Sequence, residues 1–409
     1  MKIAFLASRK GYLKVMGSLI QATLARGHEA ILLSDPGEGK PGEAATSADL
    51  GHWPAARVRT HRRGEPLLPV LRAAGASALV GPSLHFVLTA MGHAAEMAAA
   101  RAASVGLYSV DYVLETLTSD PEAYRVIDVT FYATEFERRL HWELLRERFA
   151  VVAREVSLEA RSAVSGSTML DQLALVDRDA VRRRLGIAAG RPVVLLMSLK
   201  MAVPEPYRRY VWRDGSVLTR AAVATASGHP GLVPAIWKGN RYRDLVDAVR
   251  DFCRRSGAAL VVKSREKNRD PRFLRRSADV FVESDEAVYP YTSIELMAIA
   301  DLCVHFQSGA ALEAAAASVP SLSVKVPQTH LHDYPGHEEV FGGREGTLQR
   351  FTGIVWGVGH EEAPDRLRGL TLADFKIDPE ARRRYLERFV GGDDGRSSQR
   401  VLDVIERPR

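Results

Sequence analysis

The stretch Asp301–Val326, with the sequence DLCVHFQSGAALEAAAASVPSLSVKV, decides the fold. Its pattern predicts four segments in order: a buried strand over 302–306, a tight turn over 307–310, an Ala-rich helix over 311–318 and a second strand over 321–326. Pro320 separates the helix from the second strand. A β–turn–α–β unit of this kind builds a parallel sheet, and ligands bind at the carboxyl ends of its strands.

The turn at Ser308, Gly309 and Ala310 could hold a phosphate group. It lies at a helix N-terminus, where backbone N–H groups lack partners within the helix and favour an anion. Glu313, the only charged residue of the helix, lies about one helical turn further on and within reach of a ribose hydroxyl. The alternative is a packing turn followed by a solvated glutamate, because an SGxxxE spacing is weak evidence alone.

The chain before this stretch predicts further strand–helix units of the same kind. From residue 178 the expected order is helix 178–185, strand 193–197, a Pro-, Arg- and Trp-rich insertion 200–240, helix 242–256, strands 260–263 and 280–282, and helix 291–300. This alternation predicts a doubly wound α/β domain.

The first 165 residues predict another doubly wound domain. The expected strands are 2–7, 29–34, 78–81, 105–110 and 127–133, with closing strands at Val151 and 161–165, and the expected helices follow residue 11, span 90–103 and contain Phe136 and Leu140. Residues 37–65 are rich in Gly, Pro and Arg and predict a long irregular segment. The first strand is not followed by GxGxxG, which argues against a dinucleotide cofactor here.

The composition of the chain is that of a globular protein. Its 409 residues allow two or three domains, and its formal charge of +6 suits polyanionic partners. Cys253 and Cys303 are too few for a disulfide framework or a metal site and indicate a reducing compartment, so we expect a cytoplasmic protein. No apolar run is long enough for a transmembrane helix, and the N-terminus lacks the layout of a signal peptide.

The chain after Val326 is less regular. Residues 328–346 carry His330, His332, Asp333, His337 and two glutamates, but their spacing matches no recognised ligand pattern, so we expect no metal site. Two helices, 379–390 and 397–405, are predicted at the C-terminal end.

Together these features resemble the GT-B fold, which includes nucleotide-sugar glycosyltransferases, UDP-N-acetylglucosamine 2-epimerases and CDP-glycerol glycerophosphotransferases. Several stretches along most of the chain are similar to the epimerase branch: PEAYR at 121–125 to its PEExNR segment, VSGSTMLD at 164–171 to its VTGNTVxD linker, and YTSIELMAIAD at 291–301 with SGAALE at 308–313 to its helix and uridine-diphosphate loop. The resemblance implies an α/β protein with two Rossmann-like doubly wound domains facing each other across a cleft. It also implies an N-terminal acceptor domain at 1–166, a C-terminal nucleotide-donor domain at 167–378, and helices at 379–409 that pack back towards the first domain.

The epimerising motifs of that family are altered in this chain. Residues 197–200 are MSLK where the epimerases have an MHRREN-type motif, Gly81-Pro82 replaces their Gly-Asp, and Asp111-Tyr112-Val113 replaces their EAG. An epimerase needs acid and base groups at C2 of the sugar. The phosphate-binding half is better kept than the epimerising half, which favours a transferase.

The resemblance implies a donor site in the second domain. Ser308, Gly309 and Ala310 would bind the diphosphate, and Glu313 would bind the ribose. Lys263, at the end of the strand LVVK, would face the pyrophosphate, with Lys200 as a second candidate, although each could be an exposed lysine at a strand end. The base would lie near residues 283–291, where Tyr289 and Tyr291 could stack on it or serve in packing.

A general base is expected on a loop of the first domain. Asp111, at the end of a strand, is the first candidate, although it could equally cap a helix. His85 and Glu122 are the other candidates, whereas His93 is better explained as a structural histidine.

We therefore expect a metal-independent glycosyltransferase that needs no cofactor and uses a nucleotide-diphosphate sugar, with UDP favoured, for polysaccharide biosynthesis. The acceptor would be a carbohydrate, a lipid-linked molecule or a small molecule, and no nucleic-acid partner is expected. Peripheral membrane contact and a homodimer stay open. The alternatives are a 2-epimerase, a glycerophosphotransferase and a non-catalytic nucleotide-sugar-binding protein.

Overall fold

The structure of the protein is a computed structural model of the 409-residue chain. It describes residues 1–7, 9–34, 45, 49–61, 65–84, 104–110, 123–199, 232–264, 270, 272–283, 289–325 and 337–407.

The chain divides into two compact units. The first contains Met1–Val176, Asp285–Ile294 and Leu386–Arg409, and the second contains Asp177–Ser284 and Glu295–Tyr385. The domain boundaries that the sequence predicts after residues 166 and 378 remain predictions.

The first unit is built on a parallel sheet. Its described strands are β1 (Lys2–Leu6), β2 (Glu29–Ser34), β3 (Arg57–Thr60), β4 (Ala78–Pro82), β5 (Gly106–Val110), β6 (Val129–Tyr132) and β7 (Ser162–Val164). They are ordered β3-β2-β1-β4-β5-β6-β7. The central strands β1 and β4 are buried along nearly their whole length, as expected for a parallel sheet covered on both faces.

The second unit repeats this plan. Its described strands are β8 (Val193–Met197), β9 (Ala259–Lys263), β10 (Val280–Val282), β11 (Leu302–His305), β12 (Ser321–Lys325) and β13 (Val355–Gly359). They pair in parallel in the order β10-β9-β8-β11-β12-β13. Both units therefore have the doubly wound Rossmann order, in which the chain direction across the sheet reverses beside the first strand.

The described helices lie mainly between these strands. They are α1 (Lys10–Ala25), α2 (Leu67–Ala74), α3 (Ala123–Val126), α4 (Glu135–Arg148), α5 (Ala150–Glu155), α6 (Arg178–Arg184), α7 (Leu232–Arg255), α8 (Arg272–Ser277), α9 (Thr292–Ile299), α10 (Ala310–Ala316), α11 (His337–Phe341), α12 (Ala363–Gly369), α13 (Pro379–Phe389) and α14 (Ser397–Ile405). Short 3₁₀ turns occupy Asp49–His52, Thr168–Leu175 and Leu372–Asp374.

The helix α4 has a reciprocal cap at its N-terminus. The Thr134 hydroxyl accepts a hydrogen bond from the Glu137 backbone N–H at 3.0 Å, and a Glu137 carboxylate oxygen accepts one from the Ala133 N–H at 2.8 Å. This arrangement satisfies backbone donors that the first helical turn leaves without partners. Burial raises the pKa of Glu137 to about 7, although these backbone hydrogen bonds act in the opposite direction.

The VSGSTMLD segment is fixed inside the first unit by buried polar side chains. Asp171 accepts hydrogen bonds from the backbone N–H groups of Ser397 and Ser398, at 3.1 and 2.6 Å, and so caps α14. Thr168 donates to the Val15 carbonyl at 2.8 Å, which ties the same segment to α1. Burial raises the pKa of Asp171, and its bonds to the two serines oppose that rise.

The chain differs from the expected elements in several places, and helices α2 and α8 are among the elements that were not expected. Val151 lies in α5, not in a closing strand, whereas the strand expected over 161–165 is present as β7. The segment expected to be irregular contains β3. The insertion expected to reach residue 240 already becomes helical at Leu232, where α7 begins. The less regular region after Val326 contains β13 and α12.

Two further findings concern the whole described chain. Cys253 and Cys303 are both buried and free of disulfide bonds. Among the described residues, no helix combines the length and the apolar character that a membrane crossing requires.

Candidate functional site

The turn after β11 lies beside the topological switch point of the second sheet. The strand order reverses between β8 and β11, and ligands of doubly wound sheets bind outside the carboxyl ends of the strands at such a point. β11 ends at the buried His305, and the chain turns through Gln307, whose φ is +39°. The turn expected between residues 307 and 310 is therefore present, and α10 begins at Ala310.

The backbone of this turn is accessible at its glycine. Gly309 has φ −61° and ψ −7°, so its backbone alone does not require glycine. A side chain added there would meet no atom of the described residues within 4 Å, which leaves space for a ligand to approach. The Ala310 N–H points to the Ser308 hydroxyl at 3.3 Å, so an incoming anion would share that donor with Ser308.

A buried glutamine in the segment before β13 supports the turn. The Gln349 amide oxygen accepts a hydrogen bond from the Ser323 hydroxyl at 2.8 Å, and its amide nitrogen donates to the Ser308 carbonyl at 3.4 Å. Ser323 and Gln349 are both buried. The position of Ser308 therefore depends on a contact from residue 349, which the sequence pattern did not indicate.

Glu313 lies on the first turns of α10, and only 3% of its surface is exposed. The alternative of a solvated glutamate after a packing turn is therefore wrong. The charge of Glu313 contributes, after burial itself, to raising the pKa of the Cys303 thiol on the adjacent β11. Glu313 lies on the helix that directly follows β11, near the carboxyl edge of the sheet. Its carboxylate is suited to accept hydrogen bonds from hydroxyl groups.

Lys263 is the last residue of β9, and it is 4% exposed. It is therefore not an exposed lysine at a strand end. β9 and β11 flank β8, so their ends lie two strand spacings apart, roughly 9–10 Å. Lys263 and the Ser308 turn thus belong to the same edge of the same sheet.

Tyr289 and Tyr291 have structural contacts inside the first unit. The Tyr289 ring packs against Trp53 with ring centres 5.0 Å apart, and burial raises the pKa of Tyr289. The Tyr291 ring lies 4.8 Å from the Lys14 ammonium, and the Tyr291 backbone N–H donates to the Gln172 amide oxygen at 2.7 Å. These contacts account for both rings by packing, and a role for Tyr291 in binding a nucleotide stays a prediction.

Several predicted site residues lie outside the described residues: Asp111, His85, Glu122, Lys200 and His93. The same holds for most of the His-rich stretch, residues 328–336. Their proposed roles stay predictions. Within the described ranges, no group of three or more His, Cys, Asp or Glu side chains could hold a metal ion.

A cavity of about 340 Å³ opens at the carboxyl ends of β12 and β13. Its polar lining includes Gln307, Ser323, Lys325, Gln349, Arg350 and Arg366. The cavity was not predicted from the sequence, because neither β13 nor α12 was expected there. The available signal was the pattern VWGVG, in which glycine alternates with large apolar residues at 355–359.

Comparisons with known proteins identify the fold. No family model matches the chain, and no curated protein matches it. Among solved structures, the S. aureus MnaA–UDP co-structure is 14% identical, with 99% of this chain and 95% of that chain covered and a TM-score of 0.55. The UDP-GlcNAc 2-epimerase from Neisseria meningitidis bound to UDP-GlcNAc is 11% identical, with 99% of both chains covered and a TM-score of 0.53. An H444N variant of the wall teichoic acid polymerase TagF is 10% identical, with 99% of this chain and 88% of that chain covered and a TM-score of 0.52.

These likenesses extend over almost the whole chain, although the sequence identities are low. They agree with the two parallel sheets and their shared Rossmann strand order. The chain has the GT-B fold and resembles the structural group of the UDP-N-acetylglucosamine 2-epimerases.

Proposed function

We propose that the chain is a GT-B glycosyltransferase that moves a sugar from a nucleotide-diphosphate donor, with UDP favoured, to an acceptor hydroxyl. The observation that carries this proposal is the group of residues at the carboxyl edge of the second sheet. The accessible Ser308–Ala310 turn and the buried Glu313 of α10 follow β11, which borders the switch point, and the buried Lys263 ends β9, which lies next to β8 in the same sheet. Solved structures with the same fold contain UDP or UDP-GlcNAc, which supports a nucleotide-sugar donor.

The residues at this edge of the sheet bind different parts of the donor. The departing diphosphate carries negative charge that increases as the sugar bond breaks, so donors fixed in advance stabilise the transition state. The N–H groups of the Ser308–Ala310 turn and the ammonium of Lys263 or Lys200 supply that stabilisation. Glu313 accepts hydrogen bonds from the ribose hydroxyls. No divalent metal ion is needed in this scheme.

The acceptor hydroxyl loses a proton as it attacks. Asp111 follows β5, which ends at Val110, and the carboxyl ends of parallel strands are where this class of sheet binds ligands. We assign the general base to Asp111, with His85 and Glu122 as the residues to test next. The base takes the acceptor proton while the nucleotide diphosphate leaves the sugar.

A 2-epimerase is the second candidate, because solved epimerases share the fold over the whole chain. Against it stand the motifs at 81–82 and 197–200, which lack the acid and base groups that the epimerases carry there, and the motif at 111–113, where an aspartate replaces their glutamate. A glycerophosphotransferase and a non-catalytic nucleotide-sugar-binding protein would use the same donor edge. Turnover that depends on an acceptor separates a transferase from a protein that only binds.

The donor site is tested by thermal unfolding of the full chain with UDP, GDP, CDP, ADP and TDP. A ligand that binds only the folded state raises the melting temperature, and we expect the largest rise with UDP. Lys263→Met should reduce that rise, whereas Lys376→Met, which changes an exposed lysine of the same unit, should not. If no nucleotide raises the melting temperature of the wild-type chain, the proposed donor site is wrong.

A further inference from the structure

A cavity opens at the carboxyl ends of β12 and β13, and none of its lining side chains is assigned to the donor or the acceptor in the proposed transfer reaction. Three cations line it from three separate segments: Lys325 at the end of β12, Arg350 in the turn before β13, and Arg366 on α12. One carboxylate, Glu362, lines the same cavity, so the formal charge of these four side chains is +2. Such a charge favours a small anion over a neutral molecule.

The register of β12 and β13 explains why the cavity exists. Ser323 pairs with Gly357 and Lys325 pairs with Gly359, so these four residues point to the same face of the sheet. Gly359 leaves space beside Lys325, and Gly357 allows the Arg350 side chain to pack closely beside Ser323. A Cβ at Gly357 would lie 3.0 Å from the Arg350 side chain and 3.1 Å from the Gln349 carbonyl oxygen, so these atoms would have to shift slightly. A Cβ at Gly359 would approach the carboxyl carbon of Glu362 at 3.9 Å, which is ordinary contact.

The floor of the cavity is buried and polar. Ser323 and Gln349 are both 2% exposed and are joined by a 2.8 Å hydrogen bond. The Gln349 amide has two N–H donors, and one is directed at the Ser308 carbonyl. The second donor and the Ser323 hydroxyl oxygen give the floor groups that can bind a ligand's oxygen atoms and hydroxyls.

The cations of the cavity are largely without opposing charge. Arg350 approaches Glu345 at 3.8 Å, and both side chains are more than half exposed, so that pair is weak. Within the part of the chain that the structure describes, neither Lys325 nor Arg366 forms an ion pair. Arginine forms paired hydrogen bonds with phosphate oxygens, and lysine adds a point charge.

We propose that this cavity binds a small organic phosphate that also carries hydroxyl groups, such as a sugar phosphate. Lys325, Arg350 and Arg366 bind the phosphate oxygens, while Glu362, Gln307 and the buried floor accept or donate hydrogen bonds to the hydroxyls. The volume of about 340 Å³ lies at the lower end of the range for small-molecule pockets, roughly 300–1,000 Å³, and exceeds what a bare phosphate fills. The proposal does not depend on the activity proposed for the donor edge.

The test is a calorimetric titration of the full chain with ribose 5-phosphate and, separately, with inorganic phosphate. We expect ribose 5-phosphate to bind more tightly, because it uses both the cations and the hydroxyl-binding groups. Lys325→Gln and Arg366→Gln should each weaken its binding by about ten-fold or more, the loss of one charge-assisted hydrogen bond. The matched control is Arg368→Gln, which removes the same charge from the same helix but from a side chain that does not line the cavity and is paired with Asp365.

A second variant tests the shape of the cavity without changing its charge. Gly359→Val replaces the last residue of β13 with a residue favoured in strands and fills the space beside Glu362. It should weaken ribose 5-phosphate binding more than inorganic phosphate binding. If the variant does not fold, its melting curve will show this, and the two charge variants alone decide the proposal.

Four outcomes would overturn the proposal. The first is no binding of ribose 5-phosphate at millimolar concentrations. The second is binding that Lys325→Gln and Arg366→Gln leave unchanged. The third is binding that Glu313→Ala abolishes while the two charge variants keep it, because the phosphate would then occupy the Ser308 turn. Equal affinities for ribose 5-phosphate and inorganic phosphate would show that the cavity binds free phosphate and does not recognise an organic ligand.

Discussion

Glu313 is the residue through which the proposed donor site can be tested most simply. Its carboxylate is buried on α10, next to the turn that would hold the diphosphate. Glu313→Ala should weaken nucleotide binding by roughly 1–3 kcal/mol, the usual loss for a hydrogen bond to a charged group. Calorimetric titration of UDP into the wild type and the variant measures this difference.

The control for this experiment keeps the shape of the side chain. Glu313→Gln retains an oxygen acceptor and should lose less affinity than Glu313→Ala. Circular dichroism and melting curves establish that both variants are folded. Equal UDP affinities for the wild type and a folded Glu313→Ala would remove Glu313 from the site.

Asp111 is the residue expected to activate the acceptor. Asp111→Asn should keep donor binding but lower turnover by roughly 10²–10⁴-fold, which is the usual contribution of a general base. Binding is measured by titration with UDP, and turnover by nucleotide release in the presence of acceptor. Near-normal turnover in the variant would make Asp111 a cap or an orienting group, and His85→Ala would then be the next variant to measure.

At the scale of elements, the N-terminal cap of α4 predicts a dependence of stability on pH. The pKa of Glu137 rises from 4.5 to about 7 because the side chain is buried. Between these values the folded chain keeps the proton that the unfolded chain releases, so stability falls as the pH rises through that window. One pKa unit corresponds to about 1.36 kcal/mol, so the loss could reach about 3 kcal/mol by pH 8.

Glu137→Gln should remove this dependence, because an amide has no proton to lose in that range and its oxygen can still accept from the Ala133 N–H. The measurement is urea unfolding at pH 5 and at pH 8. Glu135→Gln is the matched control, since Glu135 lies on the same helical turn but is exposed and paired with Arg138. Equal pH dependence in the wild type and Glu137→Gln would show that Glu137 is not the titrating group.

The alternation of strands and helices was predictable wherever buried apolar runs carry the pattern. β2, β8 and β10 have the expected bounds because they are short apolar runs, and α14 has them because its buried residues follow helical spacing. β3 was missed because its four residues, RVRT, are all exposed, so pairing with β2 and not an apolar pattern fixes it. β13 was missed because two of its five residues are glycine, which weakens any local preference for a strand.

Two helical segments, α5 and the start of α7, were not predicted because their local sequence argues against a helix. The paired valines of α5 favour a strand locally, but Val151 is exposed in a helix that follows α4 directly. Pro234 and Gly239 argue against a helix in the stretch where α7 begins. Pro234 is tolerated because it lies in the first turn of α7, where the backbone N–H groups have no partner within the helix.

The candidate site was predictable only in part. SGAALE at 308–313 indicated the turn and the glutamate, because small residues after a buried strand mark the edge where ligands bind. The burial of Lys263 and Glu313 could not be predicted, because both residue types are usually exposed. The Gln349 contact with Ser308 joins residues 41 positions apart, and no local pattern encodes such a pair.

At the scale of the whole molecule, the proposed reaction requires no divalent metal ion. The diphosphate charge is met by backbone N–H groups and lysines, so turnover should be the same before and after treatment with EDTA. The control is a parallel reaction with added Mg²⁺, which should not increase the rate. Activity that EDTA abolishes and a divalent ion restores would contradict this scheme.

The most direct test of the central claim separates transfer from epimerisation. The full chain is incubated with UDP-N-acetylglucosamine, with and without carbohydrate, lipid-linked and small-molecule hydroxyl acceptors, and the products are identified by NMR. A glycosyltransferase will release nucleotide and join the sugar to an acceptor only when a suitable acceptor is present. Conversion of the UDP-sugar to its C2 epimer in the absence of any acceptor would contradict the account and establish the epimerase instead.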